Sequence, residues 1–547
     1  MRTLAALNLP LLASMLAALG LSTWGLYAAL APARRVRESI LAACGVLIAQ
    51  TAIFARFTVD DAYITYRYAK NWATGAGLVF QVGDRVEGYT SFLHVALLAL
   101  AQRSGIDIEI ASKALGIVSS LSALVAVSLL TLRLGAGSRA AKIAPILLSL
   151  GALNAAWTVA GLDTPLFAAA LCWSTYLFLS EWSRPGAAPW SGLAFGLLVL
   201  VRPEGIMFAT IALAAQFLSR EPGGHRTRRV LLWSLAFASI ALPYWLWRWN
   251  YFGAFFPNTF YAKASIGPGS VIRGIGSLTD FFAESGLHQL WLVLVAAIAG
   301  VAGRAGMRFV IASIVGFLAY AVAVGGDVQF LRFYVHVLPL WTVCVAIGLD
   351  LVLQALERES NAFRRARAWG VALAIGVPWI IFSYHENANA LASEPHNRSG
   401  VATVVDVSNH INRAHGPLGE WLRIHAPAGS QVAVTDIGII AYRSELTMID
   451  LYGLTDRRIA RLFHERDGWR KIAADVRGRR PEFFVLYGNS NGAALGPFET
   501  DRAWLNEAYR PHSFWPDSEF DKGIVLLVRK DVEVAPAAAP GRPLHSI

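Results

Sequence analysis

The sequence predicts a polytopic α-helical membrane protein of about twelve spans that ends in an α/β domain outside the bilayer. Three observations lead there. Hydrophobic residues fill 55% of the 547 positions and charged residues only 16%, against about 25% charged in soluble domains. Many apolar runs approach the roughly 20 residues that cross a hydrocarbon core. After residue 384 the runs shorten into strand-like segments.

The net charge of +11 would raise nucleic acid as a partner in a soluble chain. Here the arginines cluster in short loops between apolar runs: Arg34, Arg35 and Arg37; Arg220, Arg226, Arg228 and Arg229; Arg358, Arg364, Arg365 and Arg367. That bias marks cytoplasmic loops, so the basic residues report topology and no nucleic-acid partner is expected. Cys44, Cys172 and Cys344 each lie in an apolar run without metal-ligand spacing. Neither a disulfide nor a zinc site is predicted.

Spans are expected at 9–31, 39–56, 111–131, 141–160, 164–181, 190–202, 205–219, 229–250, 288–303, 307–324, 332–353 and 367–383. The first run is long and another follows at once, so it reads as a span before it reads as a cleaved signal peptide. Residues 190–219 are interrupted by Arg202-Pro203-Glu204-Gly205 and form two spans. Residues 91–103 are apolar but short, and such a run is more often interfacial or re-entrant than spanning. If it does not cross, every Arg-rich loop faces the cytoplasm. The loops 57–110, 161–163, 202–205, 251–287 and 325–331, and the C-terminal part, then face outward. The expected organisation is a transmembrane catalytic domain over 1–383 with its first outer loop at 57–110, an extracytoplasmic α/β domain over 384–533, and a disordered Ala/Pro-rich tail over 534–547. Strands are expected near 431–435, 446–449, 483–487 and 524–528, with helices around 403–426 and 456–477.

The adjacent carboxylates Asp60 and Asp61 follow a long apolar run, and charges near a membrane edge mark functional sites. Thr58 is expected to cap a helix whose first turn holds both. Asp60, Tyr63, Arg67 and Lys70 then share roughly one face, which fits a base or metal ligand beside groups that bind an anionic substrate. The outward loops also collect Glu87, Tyr89, Asp163, Arg202, Glu204, Asn258, Tyr261, Lys263, Asp327 and Arg332, with Arg248 at the outer end of its span. A carboxylate can take the proton of an attacking hydroxyl. Arg202, Arg248, Lys263 and Arg332 are candidates to hold a leaving phosphate, with Asn258 and Tyr261 as neutral donors. A divalent metal at Asp60 and Asp61 stays open, with no cofactor certain.

The order of motifs resembles the GT-C class of integral-membrane glycosyltransferases. They run Asp60-Asp61-Ala-Tyr-Ile-Thr-Tyr-Arg-Tyr-Ala, Gly77-Leu-Val-Phe, Val86-Glu-Gly-Tyr-Thr-Ser, Ala160-Gly-Leu-Asp-Thr-Pro, Val201-Arg-Pro-Glu-Gly, Tyr251-Phe-Gly, Pro257-Asn-Thr-Phe-Tyr-Ala-Lys, Gly325-Gly-Asp, Thr435-Asp-Ile-Gly and Asp450-Leu-Tyr-Gly-Leu-Thr-Asp. Within that class they look like the terminal arabinofuranosyltransferase branch and its bacterial relatives. The resemblance implies a bacterial inner-membrane enzyme that moves a sugar from a polyprenyl-phosphate donor to a cell-envelope glycan or lipid acceptor on the outer face. It also implies an acidic general base in the first outer loop, which maps onto Asp60 or Asp61, and an inverting displacement needs only one carboxylate. The competing reading is a polytopic transporter of an envelope precursor. Transporters usually carry internal pseudo-symmetry and mid-membrane sites, and the chain shows no evident repeat.

Overall fold

The computed structural model describes residues 35–182, 184, 186–219, 223–263, 267–285, 293, 295–296, 305–326, 331–357, 401–493, 498, 501–516, 522–536 and 541–543. The chain divides into two compact units. The first comprises Met1–Phe57, Ser112–Trp245 and Ile266–Val405; the second comprises Thr58–Ala111, Leu246–Ser265 and Asp406–Ile547.

The first unit is helical. Among the described residues five helices are long and apolar enough to cross a membrane: Val36–Ile53, Ile108–Arg133, His225–Phe252, Gly306–Ala323 and Leu338–Ala355. The chain is therefore a multi-pass α-helical membrane protein. Where one span is expected at 141–160 there is a bent pair of helices, Ser138–Leu150 and Ala152–Val159, meeting at 62°. Gly151 adopts extended backbone between them and breaks the helical ladder. Helices Trp190–Val201 and Gly205–Phe217 have 12 and 13 residues, only about 20 Å each at 1.5 Å per residue. Trp190–Val201 lies close against the helix Gly223–Phe252. A side chain at Gly192 would come within 2.6 Å of the Trp233 carbonyl, and one at Gly196 within 2.9 Å of Ile240. Small residues let membrane helices approach backbone to backbone. The spans expected at 9–31 and 367–383 and nearly all of 288–303 lie outside the described residues.

The second unit is built on a seven-stranded sheet in the order β2-β1-β3-β6-β5-β7, with β4 beside β3. The strands are β1 (Gln431–Val434), β2 (Thr447–Asp450), β3 (Phe483–Asn489), β4 (Gly492–Ala493), β5 (Tyr509–Pro516), β6 (Gly523–Arg529) and β7 (Arg542–Pro543). β1 pairs in parallel with both β2 and β3, while β3–β6–β5 is antiparallel. Parallel pairs need crossovers. Helix Gly438–Ser444 supplies the first, and Arg457–Leu462 with Gly468–Arg479 the second. One core of Phe484, Leu486, Phe498, Tyr509, Phe514 and Val525 fixes the sheet. The tail expected to be disordered from Val534 is ordered in part, because Arg542–Pro543 adds β7 to β5.

Candidate active site

β1 is the first strand of the parallel set, yet it lies between β2 and β3. The chain leaves it to one side for β2 and returns on the other for β3. In such sheets ligands bind beyond the carboxyl ends of the strands at this reversal. Asp436 follows β1, Asp450 closes β2, and Tyr487 lies near the end of β3. The Tyr487 hydroxyl donates to the Asp436 carboxylate. Asp450 accepts from the backbone N–H groups of Tyr452, Gly453 and Thr455 and from the Thr455 hydroxyl. It is a loop-holding carboxyl, and burial lifts it to about 6 against those donors.

Helix Asp60–Ala73 packs its first turn on this end of the sheet. The backbone N–H groups of Gly438 and Ile439 donate to Asp60 Oδ2 and Oδ1, both at 2.9 Å. Gly438 has to be glycine here, because a Cβ would lie 2.0 Å from the Asp60 carbonyl oxygen and 2.6 Å from its carboxylate. Burial pushes the Asp60 carboxyl up, the Asp436 charge adds to this, the Ile439 N–H opposes it, the Asp61 charge raises it again and the Gly438 N–H lowers it; the balance stands at about 7. Asp61 is 27% exposed and has Lys263 Nζ 3.9 Å from its carboxylate. The cap is corrected. Val59, in extended backbone, precedes the helix with no side-chain capping bond. Thr58 instead donates its hydroxyl to Glu109 at 3.5 Å and its carbonyl accepts from Asn412 at 2.8 Å.

Most of the remaining named residues of this unit make structural ties. Arg67 is buried and donates to the carbonyls of Phe80, Ala441 and Leu446 at 2.9, 2.7 and 2.7 Å. Lys70 pairs with Glu445. Arg248 grips Glu87 through two hydrogen bonds of 3.0 and 2.6 Å and donates to the Phe255 carbonyl. Burial raises the Glu87 carboxyl while Arg248 holds it down. Asn258 donates to the carbonyls of Gly453 and Leu454, and its N–H to that of Glu87. Tyr63 packs on Tyr66 and Tyr442, and Tyr89 packs on Tyr68 and Phe252. Tyr261 and Lys263 are exposed. Among the described residues no three His, Cys, Asp or Glu side chains form a metal-ligand set. Asp60 already accepts two backbone N–H groups and Asp61 faces the Lys263 ammonium, so both carboxylates have positive partners of their own.

The first unit holds its own buried charge cluster. Arg202 Nη1 lies 3.1 Å from Asp163, while Nη2 and Nε lie 3.0 and 3.3 Å from Glu204. Tyr320 donates to Glu204 at 3.4 Å. Arg202 and the buried Arg332 both stand over the Phe333 ring. Asp327 lies outside the described residues. The sequence names Asp436 and Gly438 only within the motif Thr435-Asp-Ile-Gly and does not single out Tyr487. Partners nearly 380 positions apart carry no local signal; the only pointer was the motif Thr435-Asp-Ile-Gly.

Comparisons with known proteins follow the same lines. The family model of a domain of unknown function (DUF8728) matches residues 407–534, which include Asp436, Gly438 and Tyr487. A terminal beta-(1->2)-arabinofuranosyltransferase of Mycobacterium tuberculosis is 31% identical over 263 residues, 44% of this chain and 40% of that protein. A protein of the same name from Corynebacterium glutamicum is 26% identical over 353 residues, 53% and 47% of the two chains. The chain thus spans less than half the length of either relative. Among solved structures, the oligosaccharyltransferase AglB of Archaeoglobus fulgidus has a TM-score of 0.58 at 13% identity, covering 88% of this chain and 74% of its own. ArnT of Cupriavidus metallidurans, solved with undecaprenyl phosphate, has a TM-score of 0.57 at 13% identity, covering 89% and 97%. The arabinofuranosyltransferase AftD from Mycobacteria has a TM-score of 0.52 at 15% identity, covering 90% and 40%.

The fold is similar to those of AglB, ArnT and AftD. These structures agree with the class that the ordered motifs resemble. The likeness to arabinofuranosyltransferases rests on the two sequence relatives.

Proposed function

We propose that this protein is a glycosyltransferase that moves a sugar from a polyprenyl-phosphate donor to a cell-envelope glycan or lipid acceptor. The reaction runs on the outer face of a bacterial inner membrane. The twelve-span topology belongs to the same proposal, with the sheet domain and the Asp60 site extracytoplasmic. The observation that carries the reading is Asp60: a carboxylate fixed by two backbone donors, made basic by burial and a neighbouring charge, at the reversal point of a parallel sheet.

A general base works best when its pKa lies near the working pH. Asp60 meets that condition and keeps a free lone pair on each oxygen. In the proposed step Asp60 takes the proton of the acceptor hydroxyl as its oxygen bonds to the anomeric carbon. The bond from that carbon to the phosphate oxygen breaks, and the lipid phosphate leaves with the electron pair. A single displacement inverts the anomeric centre. Asp61 holds Lys263 beside the reacting groups, and Lys263 stabilises the leaving phosphate. Arg202 is tied to both Asp163 and Glu204 and the three together keep one formal negative charge, so they form a fixed cluster rather than a second anion grip.

The test is sugar transfer by the purified protein from polyprenyl-phosphate sugars, arabinofuranose first. Asp60→Asn is expected to lower turnover by about 10²–10⁴-fold with donor binding retained. Transfer at the parental rate by a well-folded Asp60→Asn protein would overturn the assignment.

A further inference from the structure

Four helix ends of the first unit surround a pocket far in sequence from the Asp pair. It is lined by Glu181 and Trp182, by Arg184, and by Gln216, Arg228 and Arg229, among others. Glu181 is a single carboxylate against the three arginines Arg184, Arg228 and Arg229 of the lining. Its two oxygens are taken by the Ser191 N–H and hydroxyl. Arg229 is held in place over the Trp182 ring, 5.0 Å from its centroid, and donates to the Ser219 hydroxyl. Arg184 and Arg228 are exposed, and among the described residues neither guanidinium forms a hydrogen bond or an ion pair.

Gln216 supplies the independent signal. It is only 1% exposed, lines the same pocket, and among the described residues neither its amide oxygen nor its amide nitrogen has a partner. Leaving a buried amide unsatisfied is costly, so the site asks for a polar ligand. The surroundings say which kind. Leu232 of the lining is exposed, as are Trp190, Phe217, Leu218, Leu231 and Leu235, each within two positions of a lining residue, Leu218 by 83%. Apolar side chains beside a cationic pocket suit a molecule with a charged head and hydrocarbon chains. Basic pockets between membrane helices bind such head groups.

We propose that this pocket binds the phosphate head group of an anionic phospholipid. Arg184, Arg228 and Arg229 meet the phosphate oxygens, Gln216 donates to one of them, and the exposed leucines and Trp190 line the acyl chains. The site is separate from the Asp60 machinery and does not depend on the proposed activity.

The experiment is native mass spectrometry of the full-length protein in detergent, titrated with cardiolipin, phosphatidylglycerol or phosphatidylcholine. The expected result is retention of the two anionic lipids over phosphatidylcholine. An R184A/R228A double variant should lose at least about tenfold in anionic-lipid affinity. Both residues are exposed, so folding should not suffer. Gln216→Leu should lose a smaller part, and sugar transfer by both variants should stay at the parental level. Equal retention of all three lipids, or of cardiolipin by parent and double variant, overturns the proposal. A parallel arm uses inorganic phosphate. If millimolar phosphate raises the melting temperature and cardiolipin does not, the pocket serves a soluble phosphate and the lipid assignment falls.

Discussion

The two charge clusters differ in their balance. Around Asp60 three carboxylates, Asp60, Asp61 and Asp436, gather with one exposed lysine near one of them. Around Arg202 a single guanidinium engages two carboxylates through all three of its nitrogens. The first cluster has an excess of negative charge, which makes a proton welcome. The second also keeps one formal negative charge, but every nitrogen of its guanidinium is engaged, so it is saturated at the arginine. Chemistry is expected where the balance is unfinished, and rigidity where the arginine is tied down.

Removing the centre of the saturated cluster should be the harsher test of that contrast for stability. Arg202→Ala leaves Asp163 and Glu204 buried without their partner. Breaking a buried pair from one side costs about 3–5 kcal/mol. The expected outcome is a large drop in melting temperature in detergent. An Arg202→Ala/Asp163→Asn/Glu204→Gln triple variant should recover much of it, because the stranded charges go with the arginine. If the triple variant recovers no stability while Arg202→Ala abolishes donor binding, the cluster is a phosphate grip and the contrast drawn here is wrong.

Gly438→Ala probes the other cluster by geometry alone. The new methyl would overlap the Asp60 backbone and carboxylate, so the helix Asp60–Ala73 must shift off the sheet end. Overpacking of this sort typically costs about 1–3 kcal/mol. Transfer should fall far more than the melting temperature, since a misplacement of about 1 Å at a reacting group can cost about 100-fold. Alanine at the exposed Gly478, which has open space around it, is the control and should change neither. A Gly438→Ala protein with normal turnover would show that Asp60 need not dock there.

Much of this architecture was legible in the sequence, for identifiable reasons. The membrane helices announce themselves by composition. Strands β1, β2, β3 and β6 sit where short Val/Ile/Leu/Phe runs put them. The Asp pair opens a helix as expected, because a charged doublet after an apolar run has few other uses. What stayed hidden depends on distance along the chain. Nothing near residue 60 says that Gly438 and Ile439 donate to it, and nothing near residue 248 says that Glu87 takes both arms of Arg248. Arg67 and Lys70 share the helix face that the spacing gave, yet Arg67 ties down three carbonyls and Lys70 an outlying glutamate. Side-chain period fixes a face, and only tertiary packing decides what that face meets. The bend at Gly151 was missed because a glycine inside an apolar run does not by itself distinguish a kink from a span.

The finest test of the unfinished cluster is its pH dependence. Asp60 must be ionised to accept a proton, so turnover should rise with pH through about 7 and level off above. Stability should move the other way. A carboxyl whose folded pKa lies above its unfolded value near 3.9 stabilises the fold fully below that value. The contribution is lost as pH rises from about 4 through about 7. Activity and melting temperature should therefore cross between those limits, and Asp60→Asn should flatten this part of the melting profile. Asp436→Asn removes a charge that raises Asp60, so the activity midpoint should move down toward the ordinary carboxyl range. Relative turnover at pH 6 should gain a few-fold, since one pKa unit is a factor of ten in protonation. A midpoint unmoved by Asp436→Asn, with Tyr487 and the sheet intact, would mean that the base feels some other group, and the pairing of Asp60 with the sheet end would then be structural.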